Sequence, residues 1–107
     1  MNYRKLISII ISFSFGLLSS QNTGKLTGRV LDVQTQLPIQ GVTVLLENSL
    51  IGTATDSNGY FNINEIPTKT YNVLISHLGY QSQTIYNVII KAYGTPPLKI
   101  LLEESTN

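Results

Sequence analysis

Gly52-Thr53-Ala54-Thr55-Asp56-Ser57-Asn58-Gly59-Tyr60-Phe61-Asn62-Ile63 decides the fold. Asp56-Ser57-Asn58-Gly59 is a strong hairpin-type turn, because asparagine and glycine tolerate positive φ and an aspartate can bond the backbone ahead of it. Before the turn, Ile51 to Asp56 reads as a strand, with small residues Gly52 and Ala54 on either side of Thr53. After it, Tyr60 to Asn64 reads as another, with Phe61 and Ile63 on one face. Short extended segments around tight turns are the units of an all-β domain.

The same punctuation continues in both directions. Upstream, Lys25 to Asp32 alternates Leu26, Gly28 and Val30 against Thr27, Arg29 and Leu31. Gln34 to Gln40 is a loop, with Pro38 unable to donate to a ladder and Gly41 free to bend tightly. Val42 to Glu47 sets Val42, Val44 and Leu46 on one side, and Asn48-Ser49 turns the chain. Downstream, Pro67 to Thr70 is a turn. Tyr71 to Leu78 places Tyr71, Val73, Ile75 and His77 on one face, and Gly79 breaks it. Gln81 to Ile90 is long enough to hold a bulge or bend. Tyr93 to Pro97 is a loop, and Leu98 to Glu103 turns Leu98, Ile100 and Leu102 inward. No stretch carries a helical stripe. Seven strands between Lys25 and Glu104, each apolar on one face, predict a two-sheet β-sandwich.

The first residues read differently. Arg4 and Lys5 precede an almost wholly apolar run from Leu6 to Leu18, and Ser19-Ser20 follow. A basic start, an apolar run of about 7–15 residues and small residues at its end make a signal peptide over 1–20. The run is shorter than the roughly 20 apolar residues of a membrane span. Cleavage after Ser20 leaves 21–24 as a short mobile lead-in, 25–104 as the domain and 105–107 as a tail. The mature chain then has no membrane span and is exported.

Composition narrows the function. The chain has 107 residues, seven bases, six acids, one histidine and no cysteine. Losing Arg4 and Lys5 with the leader leaves five bases against six acids, a net charge of −1. Such a sparse, balanced set gives no electrostatic reason to bind nucleic acid. Without cysteine there is no disulfide, thiol nucleophile or zinc-cysteine site. His77 alone supplies neither a multi-histidine metal site nor a base with a serine and an orienting acid beside it. Asp32, Glu47, Asp56, Glu65, Glu103 and Glu104 fall mostly at strand ends and turns, where solvated acids are expected rather than a converging carboxylate pair. Asp56 to Gly59 only partly matches a calcium loop, which needs further acidic ligands and a later glutamate. No catalytic, cofactor-binding or metal-ligating residues are expected.

Gly28-Arg29-Val30-Leu31-Asp32, Leu37-Pro38-Ile39-Gln40-Gly41-Val42, the Thr55-Asp56-Ser57-Asn58-Gly59-Tyr60-Phe61 segment, Ile66-Pro67 and Gly79-Tyr80 together resemble the carboxypeptidase regulatory-like domain. The resemblance covers about Lys25 to Glu104. It implies a seven-stranded prealbumin-like (transthyretin-like) sandwich with no peptidase, whose zinc domain is separate. Placed behind a signal peptide, the domain is similar to the amino-terminal extension of TonB-dependent outer-membrane receptors of Bacteroidetes-type bacteria. The resemblance implies a periplasmic accessory role ahead of a plug and barrel, with receptor or TonB-system components as partners. Only Ser105-Thr106-Asn107 follow Glu104, so the chain is either the front of such a receptor or a free-standing module, the latter carbohydrate-binding or adhesive. The tyrosines divide accordingly. Tyr60, Tyr71 and Tyr80 stand at family-pattern positions and are expected to cap the core. Tyr86 and Tyr93 are freer and form the candidate ligand or partner surface, with an apolar ring and a polar hydroxyl suited to a glycan or a protein. Unpaired outer strands offer a further route to a partner chain.

Overall fold

Alternation of apolar and polar residues builds seven strands in the computed structural model, which describes residues 22–106. They are β1 (Thr23–Asp32), β2 (Thr43–Leu46), β3 (Gly52–Ala54), β4 (Tyr60–Pro67), β5 (Thr70–His77), β6 (Tyr80–Ile89) and β7 (Leu98–Leu102). One sheet has three strands in the order β4-β1-β7, and the other has four in the order β3-β2-β5-β6. β1 runs antiparallel to β4 and parallel to β7, while every pair in the larger sheet is antiparallel. The two inner faces meet in a single core. Leu26, Val30, Phe61, Ile63, Ile66, Ile100 and Leu102 come from the smaller sheet, and Val44, Leu46, Tyr71, Val73, Ile75 and Val88 from the larger. The predicted sandwich and its inward residues are therefore found. The signal-peptide reading lies outside the described residues, as do Gln21 and Asn107.

Three strands depart from the sequence reading by two residues or more at one end, each for a local reason. β1 begins at Thr23, so half of the predicted lead-in is already paired, opposite Pro67 and Ile66. β4 continues past Asn64 to Pro67 because a bulge absorbs the break in alternation. Gly24 faces Ile66 and Leu26 faces Ile63, so Asn64 and Glu65 of β4 answer Lys25 alone of β1, with Glu65 at φ 56°. That extra residue returns Ile66 to the core. β3 is shorter than predicted, yet Thr55 beyond its end stays buried. Its hydroxyl accepts from the Val42 amide at 2.9 Å and donates to the Ile39 carbonyl at 2.7 Å. A buried hydroxyl used in both directions ties the Pro38 loop to β3.

The Asp56–Gly59 segment is a turn as predicted, but it does not close a hairpin. β3 and β4 belong to different sheets, so the turn carries the chain across the sandwich. Asp56 Oδ1 accepts from the amides of Asn58 and Tyr60, both at 2.9 Å, and Gly59 N donates to Asp56 O at 3.0 Å. β6 contains the irregularity its length implied, twice over. Register shifts fall between its pairings with Tyr71 and Val73 and between those with Ile75 and His77, with Asn87 at φ 59°. Bulges on the outer strands β4 and β6 interrupt the regular ladder and discourage edge-to-edge pairing. A partner surface is better sought on a sheet face.

Candidate functional site

The outward face of the three-stranded sheet follows from the same alternation that fills the core. Turning Leu26, Gly28 and Val30 inward turns Thr27 and Arg29 outward on the central strand. Arg29 pairs with Tyr60 of β4 on one side and Lys99 of β7 on the other, so the three make one cross-strand row. The Arg29 guanidinium lies 4.6 Å from the centre of the Tyr60 ring, a cation–π contact. Its Nε donates to the Asn58 carbonyl at 3.0 Å, which holds it to the Asp56–Gly59 turn. In the next row Leu31 faces Leu101, and the Pro38 loop bridges to Leu31. Arg29, Leu31, Tyr60 and Lys99 of this face, with Pro97 and the half-buried Leu98 at the start of β7, line an open, largely apolar groove of about 630 Å³.

A second polar cluster sits at the far end of β1. Asp32 is buried, 5% exposed, unlike the solvated turn acid expected of it. Its Oδ1 accepts from the amides of Gln34 (2.8 Å) and Thr35 (3.1 Å), and its Oδ2 accepts from the Tyr80 hydroxyl (2.8 Å). The Thr35 amide, the Tyr80 hydroxyl and the Gln34 amide, in that order, hold the carboxyl below its ordinary value of 3.8. The same hydrogen bond, followed by burial and the charges of Asp32 and Glu104, raises Tyr80 above 10.0. The cluster pins the chain after β7: Gln81 N donates to Glu103 O at 2.8 Å, and Ser105 N to Gly79 O at 3.1 Å. So Ser105 of the predicted tail is bonded to the domain.

These shifts set a pH dependence. A depressed Asp32 adds stability that is present above about pH 3.8 and is lost as pH falls through its folded value. A raised Tyr80 adds stability that is complete below about pH 10.0 and is lost as pH rises through its folded value. Urea midpoints measured from pH 2 to 11 are expected to fall on both limbs. Asp32→Asn should flatten both, because it removes the carboxylate that perturbs Tyr80. An unchanged acid limb in Asp32→Asn would assign that limb to other carboxylates.

The residues predicted as a site occupy other places. Tyr86 stands on β6 of the larger sheet, 69% exposed, and Tyr93 in the loop after it, 86% exposed. Tyr93 has Lys91 Nζ 5.7 Å from its ring centre and lines a shallow depression with Thr23, Gly24 and Lys25, to which Tyr86 does not contribute. Tyr71 caps the core as expected, buried with its hydroxyl donating to Pro67 O at 2.8 Å. Tyr80 is half-buried on Asp32. Tyr60 departs from the expectation: it is 51% exposed on the outer face. The signal was available, since placing Phe61 and Ile63 inward turns Tyr60 outward. What was missing was the register that brings Arg29 and Lys99 beside it. His77 is half-buried at the core edge. Its Nδ1 accepts from the Gly79 amide at 3.0 Å and its ring meets Tyr80 edge-on at 5.5 Å. Among the described residues, no cluster of three or more histidine or acidic side chains is arranged to hold a metal. No helix among them is long and apolar enough to cross a membrane.

Two short sheets closed over one core, with an open groove on one outer face, define a small β-sandwich module. The model of the CarboxypepD_reg-like domain matches residues 26–107, and the chain belongs to that family. Two solved chains from type II cohesin–X–dockerin complexes of Acetivibrio cellulolyticus are similar to it. The C-terminal interface mutant shows 30% identity and a TM-score of 0.63 over 74% of this chain and 56% of the other. The N-terminal interface mutant shows 29% identity and a TM-score of 0.64 over 76% and 58%. The chain thus spans just over half the length of these relatives. A streptococcal ancillary pilin shares the fold at 14% identity and a TM-score of 0.52, over 81% of this chain and 31% of the pilin. No curated protein matches by sequence.

Proposed function

We propose that this chain is an exported, non-catalytic interaction module that binds a protein partner on the outer face of its three-stranded sheet. In this reading it acts in the periplasm or at the outer membrane, as the amino-terminal accessory domain of a TonB-dependent nutrient receptor does. The observation that carries the interaction reading is the row Tyr60–Arg29–Lys99 beside a largely apolar groove, a surface with an aromatic ring and an arginine at its centre. Family membership supports a modular role, and the likeness to chains of cohesin–X–dockerin complexes supports a protein as the partner. The basic and apolar run before Gln21 supports export.

Two measurements test this. Expressed in a Bacteroidetes-type bacterium, the chain should fractionate with the periplasm or outer membrane and begin near Gln21. A cytoplasmic product retaining Met1 would overturn export. A photo-crosslinking residue in place of Thr27, which lines the same groove, should trap an outer-membrane receptor or TonB-system protein. The same crosslinker at Tyr86 trapping that partner instead, with none at Thr27, would move the interface. The exposure of Tyr86 and Tyr93 favours a second reading, a carbohydrate-binding or adhesive module. Absence of heat on titration with common polysaccharides, both tyrosines intact, would remove it.

A further inference from the structure

The cross-strand row carries two cations, Arg29 and Lys99, as direct partners on adjacent parallel strands. Among the described residues, no acid lines the groove around them. Arg29 is held on the β4 side of the row: its guanidinium rests on Tyr60 and its Nε is bonded to Asn58. Among the described residues Nε is the only nitrogen of that side chain with a hydrogen-bond partner. The two terminal nitrogens remain as a planar fork of the kind that takes a carboxylate bidentately. Beside the fork lie the apolar surfaces of Leu31, Pro97 and Leu98. One face of the Tyr60 ring, where a sugar would stack, is already covered by the guanidinium.

We infer that the groove binds an extended protein segment in which an aspartate or glutamate is flanked by a large apolar residue. The carboxylate sits on the Arg29 fork with Lys99 as second cation, and the apolar side chain lies against Pro97 and Leu98 at the start of β7. Two cations with no acid in the groove lining favour an acidic partner over a neutral one. This inference rests on the protein-partner reading above and gives that partner its chemistry.

The test is selection of a displayed library of random 12-residue peptides on the purified protein, followed by mapping of amide chemical shifts with the enriched peptides. Enrichment of an acid next to leucine, isoleucine or phenylalanine is expected, with shifts centred on Arg29, Tyr60, Leu98 and Lys99. Changing the peptide's acid to its amide should weaken binding about tenfold, as loss of a charge-assisted hydrogen bond does. Lys99→Glu, at an exposed position, should weaken it at least as much, and Arg29→Lys should weaken it while keeping the charge. Enriched peptides without an acid, or equal affinity for Lys99→Glu, would overturn the inference. Peptides whose shifts fall on β6 would overturn it too, yet leave the protein-partner reading standing. A selection that yields no binder also overturns it, and the crosslinking experiment then decides separately whether any protein partner exists.

Discussion

Leu26→Ala is expected to cost about 2–5 kcal/mol, the range for truncating a fully buried leucine. Leu26 is 0% exposed on β1, the one strand bonded on both sides in the smaller sheet. The missing methyls leave a void between Ile63 of the paired strand and the facing sheet, and rigid strands close such voids poorly. A domain of this size has a total stability of about 5–15 kcal/mol, and small cores lie toward the lower end. No disulfide restrains the unfolded chain, since there is no cysteine. The melting temperature should therefore fall by on the order of 10–30 °C. A fall of only a degree or two would mean that the core is not packed around this residue.

Gly59→Ala should rival it by a different mechanism. Gly59 has φ +78°, and a Cβ there would stand 2.5 Å from the Val30 carbonyl oxygen. Left-handed strain costs about 1–3 kcal/mol, and forcing an atom into a filled space costs a similar amount. The clash cannot be relieved by a rotamer, because the obstacle is backbone. Moving it disturbs the hydrogen bond from Val30 N to Gly59 O at 2.8 Å, which joins β1 to the turn. Gly41→Ala is the control. Gly41 has φ +76° with nothing near the added carbon, so it reports the strain alone, about 1 kcal/mol. Denaturant midpoints of the two variants, measured side by side, separate contact from conformation. Equal losses would show that the close approach to Val30 contributes nothing.

The two variants also mark what was legible in the sequence. Period-two alternation placed Leu26, Val44, Phe61, Val73 and Ile100 inward, because burial of one strand face is a local pattern. The bulge at Glu65 was not legible, since a bulge interrupts the very alternation that is being read; that β6 holds one was legible from its length, but its place at Asn87 was not. The sheet assignment of β3 and β4 was not legible either. A turn rich in Asp, Asn and Gly closes a hairpin or carries the chain to another sheet with the same residues, and long-range pairing decides between them. The groove was hidden for the same reason. Arg29, Tyr60 and Lys99 are 31 and 39 positions apart along the chain between successive members, and register alone makes them neighbours. Asp32 read as a surface acid because a strand end usually is one. Its burial depends on Tyr80, which reaches it only once both sheets are assembled.

The parallel pairing of β1 with β7 has a mechanical consequence. β1 enters at Thr23 and β7 leaves at Leu102, and their pairing from Gly28↔Leu98 to Asp32↔Leu102 puts entry and exit at opposite ends of the sandwich. At about 3.3 Å per residue, the ten residues of β1 span roughly 30 Å. Tension drawn through those two ends pulls the neighbouring strands past each other. It loads their hydrogen bonds in shear, all at once, instead of peeling them one by one. A domain strung this way transmits a pull along its length before it yields.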